Sequence, residues 1–373
     1  MWNYFYPQSL KVVDTSAESE KYRITRGQKR LHRVGKVSFA IPLLSLKWHG
    51  GVRVLVDLAN ALSEKGHRVF IITPKNRYHK YYRLQPSVKL ILTPTCGKIP
   101  FISHLYALFL ILLKTPPVDY VIANFYPTFY IALLHSLLYK SKIIYYIMDY
   151  ETQFGPFPYS LIADITYQFK NYIKFTVSEW VKQKTGGWGY ILHPPLDESF
   201  FRPITEKKEK VFTVIYVYRR SRRKGPELFE SIVSSHKLKD VRFWIVGEKP
   251  SLETPNLQYL GVKKTEELIK LYERSHLLLN TSHFEGFGLP PLEAMARGTP
   301  PVLTDSGGVR EYAVHNYNAI IANTVKEFEE AILKLKHDTD FYNYLKKNGI
   351  ETSKGFTKQN FINQFLSLLS LKK

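Results

Sequence analysis

Short apolar runs alternate with amphipathic segments along much of the chain. Val37–Ile41 is a short apolar run that predicts a buried strand. In Val52–Lys65 the apolar residues recur every three or four positions, which predicts a helix. Gly66 ends that helix, and Val69–Thr73 predicts the next strand. Continuous apolar strands separated by amphipathic helices are typical of a parallel sheet that is covered on both faces.

The alternation continues, is interrupted at residues 186–202 by glycine, proline and charge, and then restarts. Before the interruption it predicts strands at Val118–Asn124, Lys142–Met148 and Ile173–Val177, with helices at Phe129–Tyr139 and Ser160–Phe169. After it, the predicted strands are Val211–Val217, Val241–Val246, Leu277–Asn280 and Pro301–Thr304, and the predicted helices are Pro226–His236, Thr265–Arg274 and Pro290–Arg297. From Thr324 onward the pattern is helical.

The sequence therefore predicts an α/β fold with two doubly wound, Rossmann-like domains, residues 36–195 and 196–355. Such domains bind ligands at the carboxyl ends of their strands, so we expect a site in the cleft between them. Residues 1–35 are an aromatic and basic extension without clean periodicity, and residues 356–373 predict a C-terminal helix that can pack back on the first domain.

Composition excludes several classes of protein. A hydrophobic content of 45% excludes a disordered chain, and the single cysteine, Cys96, excludes internal disulfides and a cysteine-built zinc site. The longest apolar run, residues 99–113, is broken by polar residues and proline, and the N-terminus does not resemble a signal peptide. We therefore expect a cytoplasmic protein that is soluble or bound peripherally at the inner face of a membrane.

Positive charge is concentrated in the first half of the chain. The formal net charge is +21, and residues 1–195 carry 25 of the 53 basic side chains but 10 of the 32 acidic ones. This asymmetry favours a polyanionic partner, which can be nucleic acid, an anionic membrane or a phosphate-bearing substrate. A lysine-rich, solvated surface is the equally simple alternative.

The most informative segment lies between a predicted strand and a predicted helix. Gly286 and Gly288 leave the backbone bare just before Pro290, which suits a first helical position. A helix N-terminus stabilises negative charge by about 0.3–1 kcal/mol. Glu285 and Glu293 bracket this turn, and carboxylates accept hydrogen bonds from sugar hydroxyls. The segment predicts a site that holds a phosphate and the sugars on either side of it; a plain strand–turn–helix with solvated glutamates is the alternative.

The two glutamates with seven residues between them resemble the glutamate-pair motif of retaining glycosyltransferases of family 4, which have the GT-B fold. Residues 49–51 and 65–69, and residues 305–311 through 316–319, are also similar to segments of that family. In the family the first glutamate faces the donor sugar and the second binds the ribose hydroxyls, which implies these roles for Glu285 and Glu293. The resemblance also implies a nucleotide diphosphate sugar as co-substrate, no metal or other cofactor, and donor contacts from Gly286, Phe287, Gly288 and Leu289.

A run of five basic residues follows the first predicted strand of the second domain. The family has an arginine there and a lysine about five residues later, a spacing that Arg219 and Lys224 match. Fixed cations aimed at a leaving diphosphate stabilise the transition state more than the ground state. Tyr218 stands where the family usually has glycine, so Arg220 remains an alternative to Arg219. Taken alone, the run is also typical of a solvated loop or a nucleic-acid patch.

Other residues are candidates for the acceptor side of the cleft. Asp149 and Glu151 follow a predicted strand, and their Asp-Tyr-Glu stretch is similar to one in the rhamnosyltransferase branch of the family; a strand-end cap is the alternative. Gly50 and Gly51, preceded by His49, open a helix where a donor phosphate or an acceptor can approach the backbone. The catalytic candidates are Glu285, Lys224 and Asp149.

The predicted function is transfer of a hexosyl group, with retention, from a nucleotide diphosphate sugar to a hydroxyl of a glycan, a lipid or a protein-linked glycan. The positive N-terminal half would serve an anionic membrane. One rival is a nucleic-acid-binding protein on an inactive scaffold, which carboxylates in the cleft disfavour. Another is an epimerase or a glycogen-type synthase with the same donor site. Asp338 and Asp340 have the spacing of a metal-binding pair, but their position between helices favours a helix cap.

Overall fold

A computed structural model describes residues 36–47, 50–75, 82–94 and 100–370. Strands of the first domain form one parallel sheet in the order β3-β2-β1-β4-β5-β6-β7. They are β1 (Ser38–Pro42), β2 (Arg68–Pro74), β3 (Val88–Thr93), β4 (Tyr120–Ala123), β5 (Lys142–Ile147), β6 (Ile173–Thr176) and β7 (Tyr190–Ile191). The helices of this domain are α1 (Gly50–Glu64), α2 (Pro100–Lys114), α3 (Tyr126–Tyr139), α4 (Tyr159–Gln168) and α5 (Glu179–Lys184).

The second domain repeats this plan. Its parallel sheet has the order β10-β9-β8-β11-β12-β13. The strands are β8 (Thr213–Tyr218), β9 (Arg242–Gly247), β10 (Leu257–Gly261), β11 (Leu277–Asn280), β12 (Pro301–Leu303) and β13 (Ile320–Ile321). The helices that follow the linker are α6 (Pro226–Val233), α7 (Thr265–Arg274), α8 (Leu289–Ala296), α9 (Val325–His337), α10 (Thr339–Ser353) and α11 (Lys358–Ser370).

Both sheets change direction beside their first strand, and this confirms the predicted pair of doubly wound domains. In the first sheet β1 lies between β2 and β4, and in the second β8 lies between β9 and β11. Chain connections leave such a strand in opposite directions, which opens a crevice at its carboxyl end. The loops after β1, β5, β8 and β11 therefore carry the residues that face the cleft.

The C-terminal helix crosses back to the first domain. The ring of Phe365 lies 5.5 Å from that of Phe175 and 6.4 Å from that of Phe39, between centroids. Lys358, at the start of α11, pairs with Asp57 of α1 at 2.9 Å. The helix thus covers the face of the first sheet that α1 also covers. Within the described ranges, no helix combines the length and the apolar character needed to cross a bilayer.

Arg297 fixes the linker against the second domain. Its guanidinium is buried, pairs with Glu273, and donates hydrogen bonds to the carbonyl oxygens of Phe200 and Arg202 at 3.0 and 2.7 Å. A buried arginine of this kind is stable only when its donors are matched. The linker is therefore held directly behind α8, the helix that carries Glu293.

Candidate functional site

The two domains touch backbone to backbone at Gly286, the residue after the first glutamate. A Cβ on Gly286 would lie 2.1 Å from the carbonyl oxygen of Met148 and 3.1 Å from Cα of Asp149, both at the end of β5. The hydroxyl of Ser178 donates a 2.6 Å hydrogen bond to the carbonyl oxygen of Gly286. Only glycine permits this approach, so the sequence at this position sets how far the cleft can close.

Lys224 and Glu285 form an ion pair within the second domain. Lys224 ends a short 3-10 turn, and its Nζ donates to Oε1 of Glu285 at 2.6 Å, while the hydroxyl of Ser282 donates to the same oxygen at 2.7 Å. Burial alone would raise the pKa of Glu285, but Lys224 and Ser282 together hold it below its usual value. Glu285 is only 7% exposed, so the site holds an ionised carboxylate and a cation side by side with little water between them.

The loop from Gly286 to Leu289 presents backbone rather than side chains. Gly288 has a φ of 84°, and its carbonyl oxygen accepts a hydrogen bond from the hydroxyl of Tyr312. The Phe287 side chain is buried against the Tyr312 ring, with centroids 5.3 Å apart. Leu289 begins α8, and its Cδ1 would lie 3.2 Å from a Cβ on Gly50 at the start of α1. The two helix N-termini therefore meet across the cleft.

Glu293 faces the first domain through Arg53, a residue that the sequence did not single out. Nη1 of Arg53 donates to Oε1 of Glu293 at 3.1 Å, and the Tyr272 hydroxyl donates to the other carboxylate oxygen at 3.4 Å. Nε and Nη2 of Arg53 are buried and have no hydrogen-bond partner among the described residues. Burial opposes the charged form, but Glu293 and Asp57 outweigh it and raise the pKa of Arg53. A cation in the first turn of a helix opposes the helix dipole, and this was the signal available in the sequence.

A second ion pair spans the cleft beside the first. Nη2 of Arg223 donates to Oδ2 of Asp149 at 2.5 Å, and the Arg223 guanidinium lies 4.8 Å from the centroid of the Phe154 ring. Burial raises the pKa of Asp149, and Arg223 partly counteracts this effect. Arg219 and Arg220 are exposed, and the backbone N–H of Arg220 donates to Glu248 at 2.7 Å. The structure thus brings Arg223 and Lys224 to the cleft and leaves Arg219 and Arg220 at the surface.

Glu151 lies in the first domain and not in the cleft. Its Oε2 accepts hydrogen bonds from the backbone N–H of Tyr126 at 2.7 Å and from the hydroxyl of Tyr145 at 3.1 Å. The chain leaves the extended conformation at Glu151, which begins a 3-10 turn, so its side chain does not continue the direction of Asp149. Gly51 is at the start of α1, where a Cβ would lie 2.9 Å from Sδ of Met148. His49 lies outside the described residues.

The buried carboxyl of Glu151 gives a pH prediction. Burial raises its pKa from 4.5 to about 8, so between these values the folded protein binds a proton that the unfolded chain releases. Stability from this group is therefore present below pH 4.5 and is lost as the pH rises to about 8. We expect Glu151→Gln, which keeps an acceptor for Tyr126 and Tyr145, to melt increasingly above the wild type as the pH rises through that window.

Calorimetric melts of both proteins at matched pH values measure this difference. Histidines titrate in the same window but are common to both proteins, so they largely cancel in the comparison. A constant difference in melting temperature across the window would contradict the inward placement of the carboxyl.

The carboxylate of Asp338 accepts a hydrogen bond from the backbone N–H of Phe341 at 2.9 Å, at the start of α10. The interpretation as a helix cap is confirmed. Across the described part of the chain, no group of three or more His, Cys, Asp or Glu side chains is arranged to hold a metal ion.

Comparison with protein families gives two adjacent matches. Residues 48–165 match the model described as Glycosyltransferase Family 4, and residues 197–352 match the model described as Glycosyl transferases group 1. The first match covers most of the first domain, including Arg53 and Asp149. The second contains Arg223, Lys224 and both glutamates. Together the two models cover most of the chain.

Two sequence relatives illustrate the similarity. A protein of Sulfolobus islandicus filamentous virus that is named as a glycosyltransferase is 35% identical over 111 residues, which are 30% of this chain and 32% of the virus protein. A human protein of the phosphatidylinositol N-acetylglucosaminyltransferase is 29% identical over 161 residues, 39% of this chain and 33% of the human protein. The chain thus spans about a third of the length of these relatives.

Solved structures extend the similarity to the whole fold. The Anabaena protein HepE in complex with UDP-glucose has a TM-score of 0.75 at 16% identity, covering 90% of this chain and 99% of that one. Sucrose-phosphate synthase from Thermosynechococcus elongatus has a TM-score of 0.76 at 15% identity, with the same coverage. At these identities the comparison establishes the GT-B fold, in which both domains and the cleft are shared.

Proposed function

We propose that this chain, which carries the two domains of a GT4-like glycosyltransferase on the GT-B fold, transfers a hexosyl group from a nucleotide diphosphate sugar to a hydroxyl acceptor with retention. One observation carries the proposal. The ion pair of Lys224 and Glu285 stands at the open backbone loop before α8, and Glu293 lies on the first turns of that helix. A single unit of the second domain therefore offers a cation, backbone amides and two carboxylates toward the first domain.

Each of these groups suits a different part of the donor. Lys224 would neutralise the diphosphate, and the charge that develops there as the glycosidic bond breaks makes this contact stronger in the transition state. Glu285 and the amides from Gly286 to Leu289 would hold the transferred sugar, because a carboxylate held in its ionised form accepts hydrogen bonds from hydroxyls. Glu293 would hold the ribose. Binding of the ribose would then compete with Arg53 for the Glu293 carboxylate.

The acceptor would enter from the first domain beside Asp149. The acceptor oxygen forms the new bond to the anomeric carbon as the bond to the diphosphate breaks, and the acceptor proton must leave. The pKa of Asp149 is raised by burial while Arg223 holds its carboxylate in place, so Asp149 can orient the acceptor hydroxyl or receive its proton. Names of the relatives include phosphatidylinositol and dolichol-linked glycan acceptors, which supports an acceptor of glycan or lipid-linked type.

A donor screen tests the proposal. Wild-type protein would be incubated with UDP-, GDP- and dTDP-sugars, and release of the nucleoside diphosphate and the anomeric configuration of the sugar product would be followed by NMR. We expect turnover with one base and an α-configured transfer product from an α-configured donor. A β-configured transfer product would overturn retention. Absence of turnover and of thermal stabilisation by every donor, together with binding of short DNA, would favour the nucleic-acid-binding alternative.

A further inference from the structure

The first domain carries an unusually apolar outer surface on one side of its sheet. Helices α2, α3 and α4 form a layer on this side, with α3 packed between the other two. Large apolar side chains of this layer and of the segment before α4 are exposed: Leu105, Tyr106, Phe109, Leu113, Leu134, Leu137, Leu138, Tyr139, Phe154, Phe157, Tyr159, Leu161, Ile165 and Phe169. Monomeric proteins rarely expose so many large apolar side chains on one surface unless it binds something. We call this surface the apolar layer.

The exposure reflects the helices themselves and not a few displaced side chains. Leu105, Phe109 and Leu113 recur every four residues along α2, so they form one outward stripe. At the end of α3, Leu137 and Leu138 are 74% and 66% exposed. The inward face of α3 is nevertheless well packed, since Phe129 and Ile131 are buried. The layer is therefore a folded helical surface that is apolar on both sides.

Charge around the apolar layer has one sign. Helices α2, α3 and α4 run from the cleft edge of the sheet to its opposite edge, and each is followed or ended there by an exposed lysine: Lys114, Lys140 and Lys170. Residues 100–118 and 120–148 contain no acidic residue. Asp119 lies between them, but its carboxylate accepts hydrogen bonds from the backbone N–H and the hydroxyl of Ser38. Asp164 of α4 is half-buried.

We propose that the apolar layer docks on an anionic lipid bilayer. Leucine and phenylalanine stripes enter the acyl boundary, tyrosines suit the headgroup level, and lysines at the border pair with anionic headgroups. A second copy of the chain is a poorer partner, because a symmetric contact would bring the lysines of one copy toward those of the other without acidic partners. The sign of the charge therefore selects anionic lipid.

Docking of the layer would place the mouth of the cleft at the membrane. The exposed Phe157 and Tyr159 precede or begin α4, and Phe154 of the same segment contacts Arg223 inside the cleft. The acceptor side of the site is thus continuous with one end of the apolar layer. This part rests on the proposed function: an acceptor anchored in the bilayer would reach Asp149 without leaving the membrane surface.

Vesicle co-sedimentation of the full chain, without donor, tests the docking. We expect the wild type to bind vesicles of phosphatidylcholine and phosphatidylglycerol, and Leu137→Gln/Leu138→Gln to weaken that binding by about tenfold. Lys114→Gln/Lys140→Gln should weaken binding to the mixed vesicles and leave binding to pure phosphatidylcholine unchanged. The matched control is Val262→Gln/Tyr344→Gln, which removes two exposed apolar side chains of the second domain and should bind as the wild type does.

Three results would overturn the docking. They are absence of wild-type binding to the mixed vesicles, equal binding of the wild type and the leucine variant, and a wild-type dimer in solution that the leucine variant dissociates. Donor hydrolysis, measured without vesicles, should be the same in the wild type and the leucine variant. A protein that binds vesicles but turns over no donor would overturn the proposed function and leave the docking intact, so the two failures are distinguishable.

Discussion

Lys224→Met is expected to lower kcat for sugar transfer by about 10²- to 10³-fold, because the variant loses the cation that the leaving diphosphate would meet. The methionine keeps most of the volume of the lysine stem but cannot neutralise charge. Steady-state kinetics with the donor identified by the screen measure the loss. Lys249→Met, at an exposed lysine of the same domain, is the matched control and should keep the wild-type kcat.

Loss of Lys224 also leaves Glu285 buried without its cation, and this lowers stability by itself. The double variant Lys224→Met/Glu285→Gln removes the unpaired charge, so we expect it to melt above Lys224→Met. Its turnover should remain as low as that of Lys224→Met, since neither change restores a cation at the diphosphate. Recovery of turnover together with stability would show that the pair only supports the fold.

Gly286→Ala is expected to lower kcat by about 10²-fold with little change in donor affinity. The added Cβ would meet the Met148 carbonyl oxygen at 2.1 Å, and backbone atoms cannot yield as a flexible side chain can. The domains must then separate by an ångström or more, which moves Asp149 away from the donor; displacements of about 1 Å can cost about 10²-fold in rate. The donor groups all lie on the second domain and stay together.

Comparison of kcat with the dissociation constant of the donor separates these effects. Gly355→Ala is the control, since a Cβ there meets only the carbonyl oxygen of Thr352 at an ordinary 3.5 Å. Wild-type kcat in Gly286→Ala would contradict a reaction that needs the closed cleft. An equal loss of donor affinity and kcat would place the effect in the loop itself.

The sequence predicted the central part of the fold because apolar periodicity is strongest where strands are covered on both faces. The edges were missed: β3 and β10 are partly exposed edge strands whose polar residues break the apolar run, and β7 and β13 have two residues each. The glutamate pair and Lys224 were found because they lie in one loop–helix segment and one adjacent loop, where spacing along the chain still reflects distance in space.

Arg53 and Arg223 could not be paired from the sequence. Arg53 meets Glu293 across 240 residues and Arg223 meets Asp149 across 74, and both contacts exist only when the domains close. Glu151 was predicted beside Asp149 because alternate residues of an extended strand share a face. The 3-10 turn that starts at Glu151 removes this relation. Its roles and those of the cleft residues in catalysis remain predictions.

Calorimetric titration with a nucleoside diphosphate and the corresponding monophosphate tests the central claim most directly. The claim is that Lys224 holds the diphosphate of the donor in the cleft. The wild type should bind the diphosphate more tightly than the monophosphate, and Lys224→Met should weaken diphosphate binding by about tenfold or more and leave monophosphate binding unchanged. Equal weakening of both nucleotides, or no change in either, would contradict the claim.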